Sequence, residues 1–553
     1  MPRLFNRRDA LQMAMAAAGG GGLASAARSA DRAAPSGAID VCVYGGTASG
    51  VVAAVAAAQA GLRVLIVEPS RWLGGMTGGG LSHIDWGRRE AVGGMTAALL
   101  AGNKTDAEHR RAFVGLAAEH RIEVVYEHRL SGVSREGPRI RGITLDHAPP
   151  DRTGCPIAEP ARAAARDVTA TIFIDCSYEG DLLAQAGVPY TWGRESREEY
   201  GESLAGVRPD LAVYAIDPFV RPGEPASGLL PLLQDLRPGA LGSADRLTMG
   251  YGFRYKFGFK GELLPIAPPD HYDPGTFELY RRGFEHDVAM DVGRRMRQLD
   301  VHQPERGNVH NNGGGNLSRC LLNQTVFGCN AGYPDGDWRE RSRVWRFSQE
   351  FMRGITHFLR TDPVVPAAFR QRAQSAGFQP GPFDDTDGWP HQLYVREARR
   401  MKAAYVVTQR DMEGSTSPED SVGLASYGVD DWPYATYANG GGVALSGGDF
   451  SMLYLEERHR GIYRIPYRSI TPPRDACENL LVPVCVSASH VAMTSIRMEP
   501  VWMILGESAG VAAAMAIAAD VAVQDVDYPT LRQALVARGQ RLVIPENPGN
   551  AGG

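Results

Sequence analysis

Gly45, Gly46 and Gly50 crowd one short turn, and a carboxylate, Glu68, follows the turn by about 20 residues. Glycines let backbone approach a charged group closely. A helix N-terminus behind them offers N–H donors and the positive end of its dipole. A carboxylate at that distance can accept from a ribose hydroxyl. The set can hold the pyrophosphate and ribose of a dinucleotide. Thr47 stands where the G-x-G-x-x-G fingerprint has its middle glycine, and Ser49, at the head of the helix, joins the candidate cofactor-binding set.

The elements that must position these groups read as a βαβ unit. Ile39 to Tyr44 is a mostly apolar run, expected to be a buried strand. Ser49 to Ala60 is small and apolar, as suits a helix packed hard on a sheet. Gly61 stops it, and Arg63 to Val67 reads as the second strand, with Glu68 at its end.

Glu68 leads into PSRWLGGMTGGG, in which Gly74, Gly75, Gly78, Gly79 and Gly80 lie close together. From Ile39 to about Ala519 the chain resembles the FAD-dependent oxidoreductases with a glutathione-reductase-like, two-dinucleotide-binding FAD domain. The resemblance implies FAD as cofactor, its ADP half on the first βαβ unit and its phosphates along Gly74 and Gly75. It also implies that the turn at Asp175, after a strand from Val168 to Ile174, passes the FAD. The closing helix, Glu499 to about Ala519, carries Gly506 and Gly510 on one face. In the resembled family this helix aims its N-terminus at the flavin pyrimidine ring, where it would stabilise reduced-flavin charge.

Flavin does the redox chemistry, so the protein must orient substrate and move protons. His490, between the last FAD-domain strand and the closing helix, is the leading acid/base candidate, because histidine titrates near neutrality. Arg497, just before that helix, and Arg396 are candidates to grip an anion. His83, Asp85 and His310 are lesser candidates in polar loops.

The rest of the chain reads as follows. Asn6-Arg7-Arg8-Asp9-Ala10-Leu11-Gln12 resembles a twin-arginine export signal, and Ala24-Ser25-Ala26 resembles its cleavage site. The apolar run between them is short for a membrane span, so no integral membrane segment is expected in the mature chain. Thr105 to His120 is expected to be a helix, Ser131 to Asp146 a hairpin and residues 148–165 a loop. Arg339 to Leu359 should be a long helix. Tyr394 to Lys402 reads as helical, with Arg396, Arg399 and Arg400 within about one turn. Residues 309–315 read as a loop, Asn479 to Val486 as a buried strand, Ser487 to Arg497 as a polar segment, and Asp525 to Arg541 as a terminal helix.

The expected fold is α/β. A Rossmann-like FAD-binding domain (38–190 and 464–524) would be interrupted by a mixed α+β substrate or cap domain (191–463). A signal peptide (1–26) and linker (27–37) precede it, and a terminal helix and tail (525–553) follow. A hydrophobic content of 44% is that of a globular protein, and a net charge of −5 gives no electrostatic case for nucleic acid. The seven cysteines include no C-x-x-C pair, so neither an iron–sulfur cluster nor a metal is expected. Cys320 and Cys329 could pair after export.

The reading is an exported FAD-dependent oxidoreductase, a dehydrogenase or oxidase. It would act on a small polar molecule of the sugar, polyol or hydroxy acid class and pass electrons to an acceptor of unassigned chemistry. The alternatives are a fumarate-reductase-like reductase of unsaturated acids, and a non-catalytic carbohydrate-binding or lyase-like protein on the same fold.

Overall fold

The computed structural model describes residues 38–546, apart from 82, 103, 259–260, 286–307, 312–324 and 449–460. The twin-arginine stretch, the linker, Cys320 and the side chain of His310 therefore lie outside the described residues.

A parallel five-stranded sheet organises the molecule. Strand β1 (Ile39–Tyr44) leads into helix α1 (Ala48–Gln59), β2 (Val64–Glu68), helix α2 (Asp106–Glu119) and β3 (Glu123–Tyr126). Thr105 and Glu108 form a capping box at the start of α2. An antiparallel layer follows, built from β4 (His128–Glu136), β5 (Arg139–His147) and β6 (Arg162–Val168). The expected hairpin is thus present, but part of the expected 148–165 loop belongs to β6. Residues Arg162 to Val168 are mostly exposed, so they show none of the apolar alternation that marks a half-buried strand.

Strand β7 (Ala170–Asp175) returns to the parallel sheet beside β1. The chain then runs through small antiparallel sheets and the long helix α3 (Trp338–Thr361), capped by Asp337. It comes back at β8 (Leu480–Leu481), giving the order β8–β7–β1–β2–β3. The apolar run Asn479 to Val486 is buried as expected, but only two of its residues pair as strand. The polar segment after it holds a short helix, α4 (His490–Ile496), capped by the Ser489 hydroxyl. The closing helix α5 (Glu499–Ala519) follows, and then a last helix, Tyr528–Ala537.

Two other expectations are corrected. Residues 308–311 form a strand against Tyr255–Gly258 rather than part of a loop. Tyr394 to Lys402 is extended, not helical: the Tyr394 N–H bonds Gly252, and the Met401 N–H bonds Cys485. The run of arginines and glutamate gave high helix propensity, but these tertiary pairings overrode it.

Helix α5 is the one helix among the described residues long and apolar enough to cross a bilayer. Here it is a core helix. It lies along α1 and against the strand Ser421–Ala425, to which Ser508 donates a hydrogen bond at Val422. A Cβ on Gly506 or Gly510 would come closer than 3.0 Å to the carbonyl oxygens of Ser49 and Ala53. Both glycines therefore permit close helix–helix approach between the closing helix and the turn-bearing helix.

Candidate functional site

The β1–α1 turn is built for backbone exposure to an anion. Gly45 has φ +94°, and a Cβ there would lie 2.6 Å from the Ser177 nitrogen. Thr47 caps α1: its hydroxyl accepts from the Gly50 N–H and donates to the Cys176 carbonyl. The Ala48 and Ser49 N–H groups follow that cap, are buried, and have no acceptor among the described residues. A threonine thus fits where the fingerprint has a glycine, because its side chain faces back into the fold. The Ser49 hydroxyl is committed to the Trp502 carbonyl at 2.7 Å, so only its N–H is available to a ligand. Gly50 is required by the turn itself: a Cβ would collide with the Gly45 carbonyl oxygen.

Glu68 closes the same turn. Its carboxylate accepts from the Gly46 and Ser70 N–H groups, both at 2.7 Å. Burial raises its pKa. Each carboxylate oxygen keeps a lone pair that a ribose hydroxyl could use. Two buried N–H donors beside an acceptor carboxylate make a donor set that fits a dinucleotide pyrophosphate and ribose. Asp175 is different. Its oxygens accept from Ser177 and Leu183, burial lifts it to about 6, and it shapes the turn after β7.

The Gly74–Gly75 segment meets the start of α5 through a polar group that sequence reasoning missed. Thr77 and Tyr178 donate to the Glu499 carboxylate at 2.8 and 2.6 Å, and the Met76 N–H donates to Tyr178. Tyr178 also fills the space that a Cβ on Gly75 would need. Glu499 is buried, and burial pushes it up to about 7. The available signal was an acid in the first turn of a mostly apolar helix.

His490 begins α4, with both ring nitrogens occupied. Nδ1 lies 2.9 Å from Glu397 and Nε2 lies 2.5 Å from the Tyr434 hydroxyl, which donates in turn to Asp431. Its backbone N–H bonds Glu195, which also pairs with Arg400 at 2.6 Å. Burial disfavours the imidazolium, but Glu397 and then Asp431 outweigh it and raise the His490 pKa. The result is a buried imidazole whose carboxylate neighbours favour its protonated form, with neither nitrogen free to face a substrate in this arrangement.

The three arginines of the extended 396–400 stretch go to separate places. Arg399 pairs with Asp181 and Asp335, and Arg400 with Glu195. Arg396 meets Arg497 around Tyr394. The guanidinium carbon of Arg396 is 3.7 Å from the Trp432 ring centre and 4.3 Å from that of Tyr394. Arg497 donates to the Tyr394 hydroxyl and to Asp430, each at 2.8 Å. Arg254, absent from the sequence expectations, lies 4.5 Å from the Tyr394 ring and 3.9 Å from Asp85. His83 is exposed, apart from this group, whereas Asp85 also accepts from Tyr427. Among the described residues, no three His, Cys, Asp or Glu side chains group as a metal site.

Three comparisons with known proteins complete this picture. No curated protein matches the chain. Solved structures that match in part include CabE, an aromatic hydroxylase from angucycline biosynthesis. It is 14% identical, with 29% of this chain and 35% of that chain covered and a TM-score of 0.20. Thermovibrio ammonificans THI4 is 16% identical, with 28% and 66% covered and a TM-score of 0.20. Thioredoxin reductase of T. acidophilum is 19% identical, with 25% and 34% covered and a TM-score of 0.17. The chain thus spans about a third of the length of CabE, and likenesses of this size say nothing about substrate. The FAD dependent oxidoreductase family, in contrast, matches residues 40–535. With a parallel sheet, a glycine turn and an acid arranged for a dinucleotide, and a family match over nearly all described residues, the chain belongs to the FAD-dependent oxidoreductases and is a flavoenzyme.

Proposed function

We propose that this enzyme is exported and exchanges a hydride equivalent between FAD and a small polar organic molecule of the sugar, polyol or hydroxy acid class. The observation that carries the substrate side is the convergence of Arg396 and Arg497 on Tyr394, beside Trp432 and just ahead of α5. Aromatic faces with in-plane N–H donors suit a compact molecule rich in oxygen. When bound, FAD supplies the two-electron chemistry.

The chain's own residues bind and orient. The Ala48 and Ser49 N–H groups and Glu68 would hold the ADP half of FAD. The Tyr394 hydroxyl accepts from Arg497, and its own proton has no acceptor among the described residues. It is therefore the group best placed to give a hydrogen bond or a proton to a substrate oxygen. The export reading is supported by Arg7 and Arg8 ahead of the short apolar run.

The test is anaerobic titration of the purified yellow protein with 2-hydroxy acids, polyols and aldoses, following loss of flavin colour. At least one class should bleach it. The proposal fails if none does and if no oxo or unsaturated acid reoxidises the dithionite-reduced protein.

A further inference from the structure

The charge balance around Tyr394 narrows the substrate class. Three guanidinium groups, those of Arg254, Arg396 and Arg497, have carbons within 5.8 Å of one tyrosine ring centre. Arg497 has Asp430 at 2.8 Å, and Arg254 has Asp85 at 3.9 Å. Arg396 has no carboxylate partner among the described residues. Its Nε donates to the Gly250 carbonyl, and its Nη1 is buried with no acceptor. The Arg497 Nε is likewise buried without an acceptor. Burial, with Arg497 and Arg254 close by, pulls Arg396 down to about 9.

A buried, unpaired cation is costly, and like charges beside it raise the cost. Folds retain such a group where a ligand supplies the missing charge. The cluster holds three cations against two carboxylates, so the deficit is one negative charge. The unfilled groups named here are all donors: Arg396 Nη1, Arg497 Nε and the Tyr394 O–H. Rings lie against the Arg396 guanidinium, and its N–H groups point outward in its plane. The unfilled Nη1, with the Arg497 Nε and the Tyr394 hydroxyl, matches a group that only accepts, such as a carboxylate.

We infer that the substrate carries a single carboxylate, held by the Arg396 edge with Arg497 and Tyr394, so that among the three classes it is a hydroxy acid or its oxidised counterpart. This rests on the functional reading above and makes it narrower. The same donors could instead serve negative charge on the flavin, and the experiment separates the two sources.

Acetate is the probe, titrated into wild-type, Arg396→Met and Arg396→Lys holoproteins by calorimetry, with glycerol as the uncharged control. Flavin content, melting midpoint and flavin midpoint potential are measured on each. The acetate Kd should rise about 10- to 100-fold in Arg396→Met, the worth of a lost charge-assisted bond. It should rise less in Arg396→Lys, which keeps the charge and loses the planar fork. Flavin content and potential should stay at wild-type values. Equal acetate binding in all three proteins overturns the inference. So does a wild type that ignores acetate but binds glycerol, which leaves the coarser functional reading intact. A lowered potential in Arg396→Met without acetate assigns the arginine to the flavin and also overturns it. A purified protein without flavin defeats the functional reading itself.

Discussion

Glu499→Gln tests whether a neutral acid sits at the head of the closing helix. The carboxyl is buried, accepts from Tyr178 and Thr77, and has no cation beside it among the described residues, so burial raises it from 4.5 to about 7. At about 1.4 kcal/mol per pH unit, that interval is worth about 3 kcal/mol. The sign follows from proton counting. Between the two values the folded chain holds a proton that the unfolded chain has lost. Stability is therefore full below about 4.5, falls as pH rises through about 7, and is level above that. Glutamine mimics the protonated acid and cannot titrate. Urea denaturation of matched holoproteins from about pH 5 to about pH 8 should show wild type losing about 2–3 kcal/mol relative to Glu499→Gln. Difference infrared spectra near neutrality should show a protonated carboxyl band only in wild type. A stability difference that is flat with pH, together with no such band, would mean that Glu499 is ionised in the fold and that the argument from burial is wrong.

Gly510→Ala adds a Cβ closer than 3.0 Å to the Ala53 carbonyl oxygen. Overpacking should cost about 1–3 kcal/mol, against about 1 kcal/mol gained in helix propensity, so the melting midpoint and flavin content should both fall. Unchanged values would show that the two helices do not touch there. His490→Ala strips the imidazole from Glu397 and Asp431 and should destabilise by about 3–5 kcal/mol. Adding Glu397→Gln should recover part of that loss, and strict additivity of the two changes would refute the coupled network. Replacing Arg7 and Arg8 by lysine should leave flavin-loaded precursor in the cytoplasm. An unchanged exported yield would refute the export reading.

The dinucleotide half of the site was legible because its signals are local. A strand, a glycine turn, a small-residue helix, a second strand and an acid lie in one short stretch, and the Glu68 carboxylate closes it on the Gly46 N–H. Even there, sequence could not separate glycines that face a ligand from glycines that let the backbone close. Gly50 is required by the Gly45 carbonyl, and Gly506 and Gly510 by the carbonyls of α1, hundreds of residues away. The substrate half was legible only as residue types. Arg396 and Arg497 were marked as anion grips, but Arg254, Tyr394 and Glu499 were not. Their meaning depends on contacts between stretches far apart in the chain.

The extended path of residues 394–400 explains both the error and the site. A helix would gather Arg396, Arg399 and Arg400 toward one surface. In an extended chain, neighbouring side chains point to opposite sides. Tyr394 and Arg396 therefore meet Trp432 and Arg497, while Glu397, next in sequence, turns to His490. The same division recurs at residues 430–434. Asp430 pairs with Arg497, and Asp431 joins Tyr434 and His490. Two stretches each supply one residue set to the arginine cluster and another to the histidine network. The network pairs its carboxylates with cations, Glu195 with Arg400, Glu397 with His490 and Asp431 with Arg208, and its buried ion pairs hold both stretches in place. The arginine cluster, one negative charge short, is left as the side of the assembly with donors to offer.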